Sequence, residues 1–372
     1  MDKKRAKLLS LLAAAAILVT GCWDATEVNK MDLVTMVMLD RQGEQLMFTA
    51  EIPRIMPVSA EGGSAGNKNA YIQGGGATLP EARNNIEQKL QKPLFLGTVR
   101  TLVITEKAAA NDLTEYLFRL REDSTYRQKV ILITTRNDPD TFNLFEGETD
   151  SPGGFAINDM LTSLSQDGRT YMESTSHYVE DILSGRGFVV HCVDVVNKQH
   201  ALAGYSVFQN ARDIGFIPAE QAKGLVYLLA YNPIFVYCIA FSQNFATVEV
   251  KLAGKKITPY YKEGTIGFQV QMKYDAMVQY FTQAQLFPLD QKALDEISQN
   301  LTQTLQEEIQ NTIAQSQTQF QSDYLEFCNA FHMAYPDVYE KINWLAEYPK
   351  AQMKVQTKIS MSVSQKMDYE PR

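Results

Sequence analysis

Apolar positions recur along this chain with two different periods, and the switches between them lay out the elements. Residues 33–39 and 46–52 are apolar runs of strand length, and Asp40-Arg41-Gln42-Gly43 between them has the chemistry of a hairpin turn. Residues 57–76 are dominated by Gly, Ser, Ala and Asn, which predicts a long loop with room for a short strand around Tyr71. A sharp boundary follows. Thr78-Leu79-Pro80-Glu81 fits a capping box, with Thr78 accepting from the Glu81 N–H and the Glu81 side chain returning to the N–H of Thr78. Pro80 falls in the first turn, where its missing donor is not needed, and Ala82, Ile86 and Leu90 then share one helical face. A strand over 98–105, a helix over 109–120 with Leu113, Tyr116, Leu117 and Leu120 facing a sheet, and a strand over 129–135 complete a first α/β or α+β region.

A polar Asp/Pro/Gly-rich connector covers 136–154, and short helices are expected at 155–164 and 178–183. Strands are predicted at 188–196, 201–208 and 234–241, with a helix at 219–230. The apolar run 225–241 is long enough to suggest a membrane span, but Asn232-Pro233 breaks it into a helix end, a turn and a buried strand. From 246 to 277 the period becomes 2. Leu294, Ile297, Leu301, Leu305, Ile309, Ile313, Phe320, Tyr324, Phe327 and Phe331 then recur at threes and fours, with Ser316 filling the gap. That spacing describes one long amphipathic helix, or two consecutive helices broken near Ser322-Asp323. Its polar face is mostly Gln, Asn and Thr, read as a solvated face over a sheet in preference to a docking surface. A last strand alternates over 351–363. The expected fold class is α+β: three mixed α/β domains with mainly antiparallel sheets, the C-terminal one carrying the long helix. The boundaries are a signal peptide at 1–21, an N-terminal α/β domain at 22–150, a middle mixed α/β domain at 151–245 and a C-terminal α+β domain at 246–372.

The beginning of the chain follows another logic. Lys3, Lys4, Arg5 and Lys7 precede an apolar segment over 8–19, the layout of an export signal. As a helix that segment spans roughly 18 Å, well short of the ~30 Å hydrocarbon core of a bilayer. The run Leu18-Val19-Thr20-Gly21-Cys22 resembles a bacterial lipobox, in which the Cys thiol takes a diacylglyceryl group and the bond before it is cut. Small Thr20 and Gly21 give a peptidase access to the backbone, and the Cys22 sulfur is the nucleophile. Cleavage is expected between Gly21 and Cys22, leaving Cys22 as the lipid-bearing first residue and no cofactor beyond that covalent diacylglyceryl. Two acyl chains at about 0.8 kcal/mol per buried CH₂ make a stable anchor where one is marginal. Removing residues 1–21 takes away four positive charges and one negative, so the net charge falls from −8 to −11. Such a chain does not favour nucleic acid, and its attachment rests on the lipid rather than on a basic patch. Cys192, Cys238 and Cys328 each lie in an apolar run and are expected to be buried, reduced thiols.

Candidate chemistry is sparse. Gly62-Gly63-Ser64-Ala65-Gly66 matches GxSxG, but the nucleophile elbow needs a strand before it and a helix after it, and Ser64 sits in the Gly/Ser-rich stretch. His177, His191, His200 and His332 do not pair at helical ligand spacing, and Cys192 points to the strand face opposite His191. Asp138, Asp140, Glu146, Glu148 and Asp150 lack the Gly and closing Glu of a calcium loop. Gly74-Gly75-Gly76 has no Gly-Lys-Thr/Ser after it to hold a phosphate. No catalytic, cofactor-binding or metal-binding residue is assigned, and the chain is read as a non-enzyme.

The residues after the lipobox carry a resemblance. Gly21-Cys22-Trp23-Asp24-Ala25-Thr26-Glu27 resembles the GCWDxxE start of the Ger(x)C family, the lipoprotein C subunits of spore germinant receptors. Further segments resemble it in order: Met36 to Asp40, the stretch 76–106 with Leu96-Gly97-Thr98-Val99-Arg100, Leu120-Arg121-Glu122-Asp123, Gly204-Tyr205-Ser206-Val207-Phe208, and Ser322-Asp323 with Trp344. Thr98 stands where the family often has His, and the wording around Arg121 is looser than the family's. The resemblance implies three mixed α/β domains and lipid anchorage to the outer face of the spore inner (cytoplasmic) membrane. It also implies integral-membrane A and B subunits as partners and no catalytic residues, and leaves open whether this subunit touches the small-molecule germinant. The function expected is a non-catalytic lipid-anchored subunit acting in receptor assembly or signal coupling. The alternative is a solute-binding lipoprotein delivering a nutrient to a transporter, which needs two similar lobes about a cleft. An enzyme would need a cleft containing Ser64 or a strongly perturbed His.

Overall fold

The computed structural model describes residues 28–55, 67–122, 129–143, 151–173, 175–242, 244–282 and 290–363. The predicted hairpin is β2 (Met36–Gln42) against β3 (Gln45–Ile55), preceded by a two-residue β1 (Asp32–Leu33). Gly43, at φ +60°, makes the reversal. The expected loop over 57–76 ends instead in a ten-residue strand, β4 (Asn67–Gly76), paired with β3 from Ile55↔Asn67 to Leu46↔Gly76. Its glycines disguised it for a packing reason. The helix α1 (Leu79–Glu87) lies so close that a Cβ on Gly74 would meet the Ala82 carbonyl oxygen at 2.5 Å. A Cβ on Gly76 would meet the Ala82 nitrogen at 2.6 Å. The cap forms with one change: Thr78 Oγ1 accepts from the Glu81 N–H at 3.4 Å, while the Glu81 carboxylate accepts from the N–H of Ala77 at 2.8 Å, one residue earlier than expected.

After β5 (Leu94–Phe95) and β6 (Thr101–Thr105), the expected helix over 109–120 is two pieces, α2 (Glu106–Ala109) and α3 (Thr114–Glu122). Thr105 caps the first by accepting from the Ala108 N–H, and Asp112 starts the second by accepting from the Thr114 N–H. Next come β7 (Ile131–Thr135), α4 (Pro139–Asn143), α5 (Gly153–Gln166), α6 (Thr175–Leu183), β8 (Phe188–Val196), β9 (Gln199–Gln209) and a strand not anticipated, β10 (Arg212–Pro218). These build one eight-stranded sheet in the order β10-β9-β8-β7-β6-β2-β3-β4, parallel in its centre and antiparallel on both flanks. The sheet takes strands from both sides of residue 150. The fold is mixed α and β, with mixed sheets.

The helix α7 (Lys223–Leu229) leads into a four-stranded sheet, β11-β12-β13-β14, made of β11 (Ile234–Phe241), β12 (Asn244–Lys262), β13 (Thr265–Phe281) and the parallel β14 (Gln352–Val363). Residue 245 lies inside this sheet. Between β13 and β14 run α8 (Gln291–Thr318), α9 (Phe327–Ala334), α10 (Pro336–Tyr339) and α11 (Trp344–Glu347). Of the two forms allowed for the long apolar stripe, the broken one is observed. Gln321 adopts φ +50° and the Ser322 N–H turns back to the Ser316 carbonyl, so α8 stops and α9 starts in a new direction. Ser316 fills its gap in the stripe by hydrogen bonding the Tyr348 hydroxyl at 2.5 Å.

Strand alternation divides the eight-stranded sheet. Val37, Leu39, Leu102, Ile104 and Leu132 pack beneath α1, α3 and α6, whereas Met36, Met38, Val103 and Ile133 pack with Phe142, Ile157 and Leu161 on the other face. A third core joins the two sheets. It runs from Val189, Tyr205 and Val207 through α7 to Val250, Phe268 and Val270, under Ile297, Leu301, Leu305, Ile309 and Ile313 of α8. Cys192 and Cys328 are buried, but Cys238 is exposed. The period of β11 turns it outward with Val236 and Ala240, and among the described residues no layer covers that face.

The close contact of α1 on β4 gives a direct test. Gly74→Ala lowers the unfolding free energy by about 1–3 kcal/mol through overpacking, measured by urea titration. Gly254→Ala, where a Cβ meets nothing within 4 Å, stays within about 0.5 kcal/mol of the parent.

Candidate functional site

Cys22 and Gly21, the expected lipid and cleavage positions, lie outside the described residues, as does Ser64. Within them the histidines are dispersed. His191 is buried in β8, its Nε2 sharing a hydrogen bond of 2.8 Å with Thr170 Oγ1, which in turn reaches the Tyr205 hydroxyl at 2.6 Å. Burial pulls the pKa of His191 down to about 4, so this ring is a neutral core group at ordinary pH. Burial also lowers His200 to about 4, and its ring lies 4.6 Å from that of Phe142. His177 sits on the surface 3.6 Å from Glu173, and His332 stacks on Tyr339. Among the described residues no group of three His, Cys, Asp or Glu side chains could hold a metal ion, and no helix is long and apolar enough to cross a membrane. An open depression of about 630 Å³ is lined by Arg100, Lys129, Asn158, Thr162 and Glu173, with the Arg100 guanidinium 4.1 Å above the Phe155 ring.

The most organised polar chemistry lies instead in buried carboxylates that tie elements together. Glu51 of β3 is 1% exposed. Its Oε1 accepts from Asn69 at 2.9 Å, from the Tyr71 hydroxyl at 3.1 Å and from the Gly153 N–H at 2.8 Å; its Oε2 accepts from Thr35 at 2.6 Å and from the Gly154 N–H at 2.9 Å. The two glycine amides open α5, so the anion sits at that helix's positive end. Gly154 must be glycine for the helix to come this near: a Cβ there would stand 2.4 Å from the Thr35 carbonyl oxygen. A charged residue in an otherwise apolar strand was the available signal for Glu51. Its partners lie as much as 103 residues away and could not be paired with it from sequence.

Asp323 forms the second node, in the turn between α8 and α9. Its carboxylate accepts from the Phe327 N–H at 3.0 Å, the Cys328 N–H at 2.6 Å and the Trp344 indole N–H at 2.9 Å. Burial outweighs those bonds and lifts its pKa to about 6. Beside it, Arg186 bonds Asp181 at 2.9 Å and Asn329 at 2.9 Å, and Ser322 donates to Gln209 at 2.7 Å. These contacts stitch α6 and β9 of the large sheet to the α8–α9 turn. Asp181 is likewise lifted to about 6 by burial, against the pull of Arg186. The segments that carried the family resemblance therefore fall on buried joints: Asp40 accepts from Thr105 at 2.6 Å, Tyr205 belongs to the His191 network, and Ser322, Asp323 and Trp344 form the second node. Thr98 donates to the Val34 carbonyl at 2.9 Å. The side chain of Arg121 lies outside the described residues.

Altering the acceptor or a single donor tests these nodes. Glu51→Gln turns an NH₂ toward at least one α5 amide and costs about 1–3 kcal/mol for each donor left facing it; Tyr71→Phe, which deletes one of five donors, costs about 1 kcal/mol in the same denaturation assay. Asp323 holds its proton more tightly folded than unfolded, so its contribution to stability falls as pH rises from its unfolded pKa toward 6. Trp344→Phe removes a bond that favours the ionised form. Its stability deficit against the parent is therefore larger at about pH 8 than at about pH 5, as read from thermal unfolding followed by circular dichroism.

Comparison with known proteins places this arrangement. Residues 24–195 match the family described as Spore germination protein N-terminal domain, and residues 203–364 match Spore germination B3/GerAC like, C-terminal. The putative spore germination protein YfkR of Bacillus subtilis (strain 168) is 28% identical over 127 residues, a third of each chain. Spore germination protein A3 of the same organism is 25% identical over 273 residues, 68% of this chain and 69% of that protein. The crystal structure of the GerBC protein superposes with a TM-score of 0.55 over 88% of this chain and 96% of that one, at 13% identity, and so shares the fold. The chain belongs to the GerAC-like family of spore germination proteins, the Ger(x)C family that its opening residues resemble.

Proposed function

We propose that this protein is the lipid-tethered C subunit of a nutrient germinant receptor and acts without catalysis, assembling or coupling the receptor's membrane subunits. The observation that carries this reading is the family match over 24–195 and 203–364, with the lipobox Leu18-Val19-Thr20-Gly21-Cys22 just ahead of it. Cys22 bears the diacylglyceryl group after cleavage behind Gly21, and the mature chain is held on the outer face of the spore inner membrane. Its partners are the integral-membrane A and B subunits of the same receptor.

The architecture suits such a task. Subunits that transmit a conformational signal need elements that move together, and the continuous core between the two sheets supplies that stiffness. The Glu51 and Asp323 nodes add directional bonds, which fix orientation where apolar packing alone would allow sliding. A solute-binding protein works by opposite means, closing two hinged lobes over a cleft.

Cys22→Ala is the direct test. In sporulating cells the variant leaves the membrane fraction and nutrient-triggered germination falls to the level of a strain lacking the protein, while germination by a non-nutrient route is unchanged. A variant that stays membrane-bound and supports normal nutrient germination contradicts the reading.

A further inference from the structure

The four-stranded sheet has one face beneath α8 and one face with no described element packed on it. Along β13 the residues 266, 268, 270, 272, 274, 276 and 278 are buried, while Gln269, Lys273, Asp275 and Gln279 point outward and are exposed. On β14 the outward set is Gln352, Lys354, Gln356, Lys358, Ser360 and Ser362, all exposed. Strand register then brings charge together. Lys273 stands directly opposite Lys358; Gln269, four residues along, stands opposite Lys354; and Gln271, midway between them, stands opposite Lys256 of β12. With neighbouring strands about 4.8 Å apart and residues about 3.3 Å apart along a strand, these four lysines form one cluster about 13 Å long. None has an ion-pair partner among the described residues. The acids of these strands are Asp275, which stands opposite Lys251, and Glu249, which accepts from Gln279 at 2.8 Å.

Two features of this cluster point outside the molecule. Like charges directly opposite on adjacent strands destabilise a sheet, and Lys273 with Lys358 is such a pair, in a chain whose net charge is −8. An apposed anionic surface relieves that repulsion. The same face also continues into an apolar end, where Val236 is 53%, Phe245 54% and Tyr280 58% exposed around the outward Cys238. Lysines beside exposed aromatic and aliphatic side chains on one broad face are the composition of a surface that lies on lipid headgroups: the cations meet phosphates and the rings enter the interface.

We propose that the outward face of the β11–β14 sheet rests on a bilayer of anionic lipid, so that Cys22 holds the protein at the membrane and this face fixes which way it sits. The proposal rests on the tethered reading for its place in the cell, but the contact is a property of the sheet and is tested without the lipid. Charge summed over the whole chain hides it, because the lysines are sorted to one face only by the fold.

The test uses residues 23–372, which keep every described element and lack both the export signal and Cys22. Binding is measured by co-sedimentation with vesicles of equal parts phosphatidylglycerol and phosphatidylcholine, and with phosphatidylcholine alone. The expected result is binding to the anionic vesicles only, weakening as salt rises. Lys273→Gln/Lys358→Gln reduces that affinity by roughly 30-fold, the order expected when two cations leave an anionic surface. Lys256→Gln/Lys354→Gln, an independent pair in the same cluster, does the same. Lys107→Gln/Lys292→Gln, equal in charge change but on other surfaces, reduces it by less than about threefold. The proposal is overturned if the anionic vesicles recruit no protein, which would leave the face to an acidic protein partner, or if the three double variants lose affinity equally. Either outcome leaves the Cys22 tether untouched.

Discussion

An ionised carboxylate taken out of water is among the most expensive groups a fold can bury, and it survives only when its lone pairs are met by donors in fixed places. Glu51 meets five, two of them the leading amides of α5, and Asp323 meets three, two of them the leading amides of α9. Each anion thus specifies where a helix begins and how it is aimed. The first fixes α5 to the flank of the eight-stranded sheet; the second turns the chain sharply after α8 and locks Trp344 over the turn. Arg186 and Gln209 then tie that turn back to the large sheet, and the shared apolar core fills the space between. Loss of any donor leaves a charge poorly matched in a dry setting, so the geometry around both anions is tightly defined.

Elements whose signals were local could be read from the chain. The cap at Thr78, the reversal at Gly43, the strands over 188–196 and 234–241 and the break near Ser322 each depend on neighbours within a few residues, and each is present. What escaped was set by contacts distant in sequence. β4 was expected only as a short strand around Tyr71 within a loop, because its glycines serve the approach of α1 rather than a turn. Cys238 sits in as apolar a run as Cys192 does, yet it is exposed because its side of β11 faces away from the core, with no described element over it. The helix expected over 109–120 starts only at Thr114, where Asp112 accepts from the Thr114 N–H, and Ala109 instead closes a short helix that Thr105 caps.

The residues behind the family resemblance have a common physical role. Asp40, Tyr205, Ser322, Asp323 and Trp344 are not arranged about a space where a substrate could react; they occupy joints between strands, helices and turns. Their pKa values fit that role. His191 is held neutral and Asp323 is held near 6, both by burial, and both lack access to solvent. These joints hold the surfaces of both sheets in register, the proposed lipid-facing face of the smaller sheet among them.

The two sheets and the helices on them move as one piece, pinned at Glu51 and Asp323. Native-state hydrogen exchange of the amides that meet these anions tests it most directly. Gly153, Gly154, Phe327 and Cys328 are expected to exchange only through global opening, with free energies within about 1 kcal/mol of the whole-protein unfolding value. Exchange of either pair through a local opening several kcal/mol cheaper than global unfolding would make the nodes hinges rather than pins.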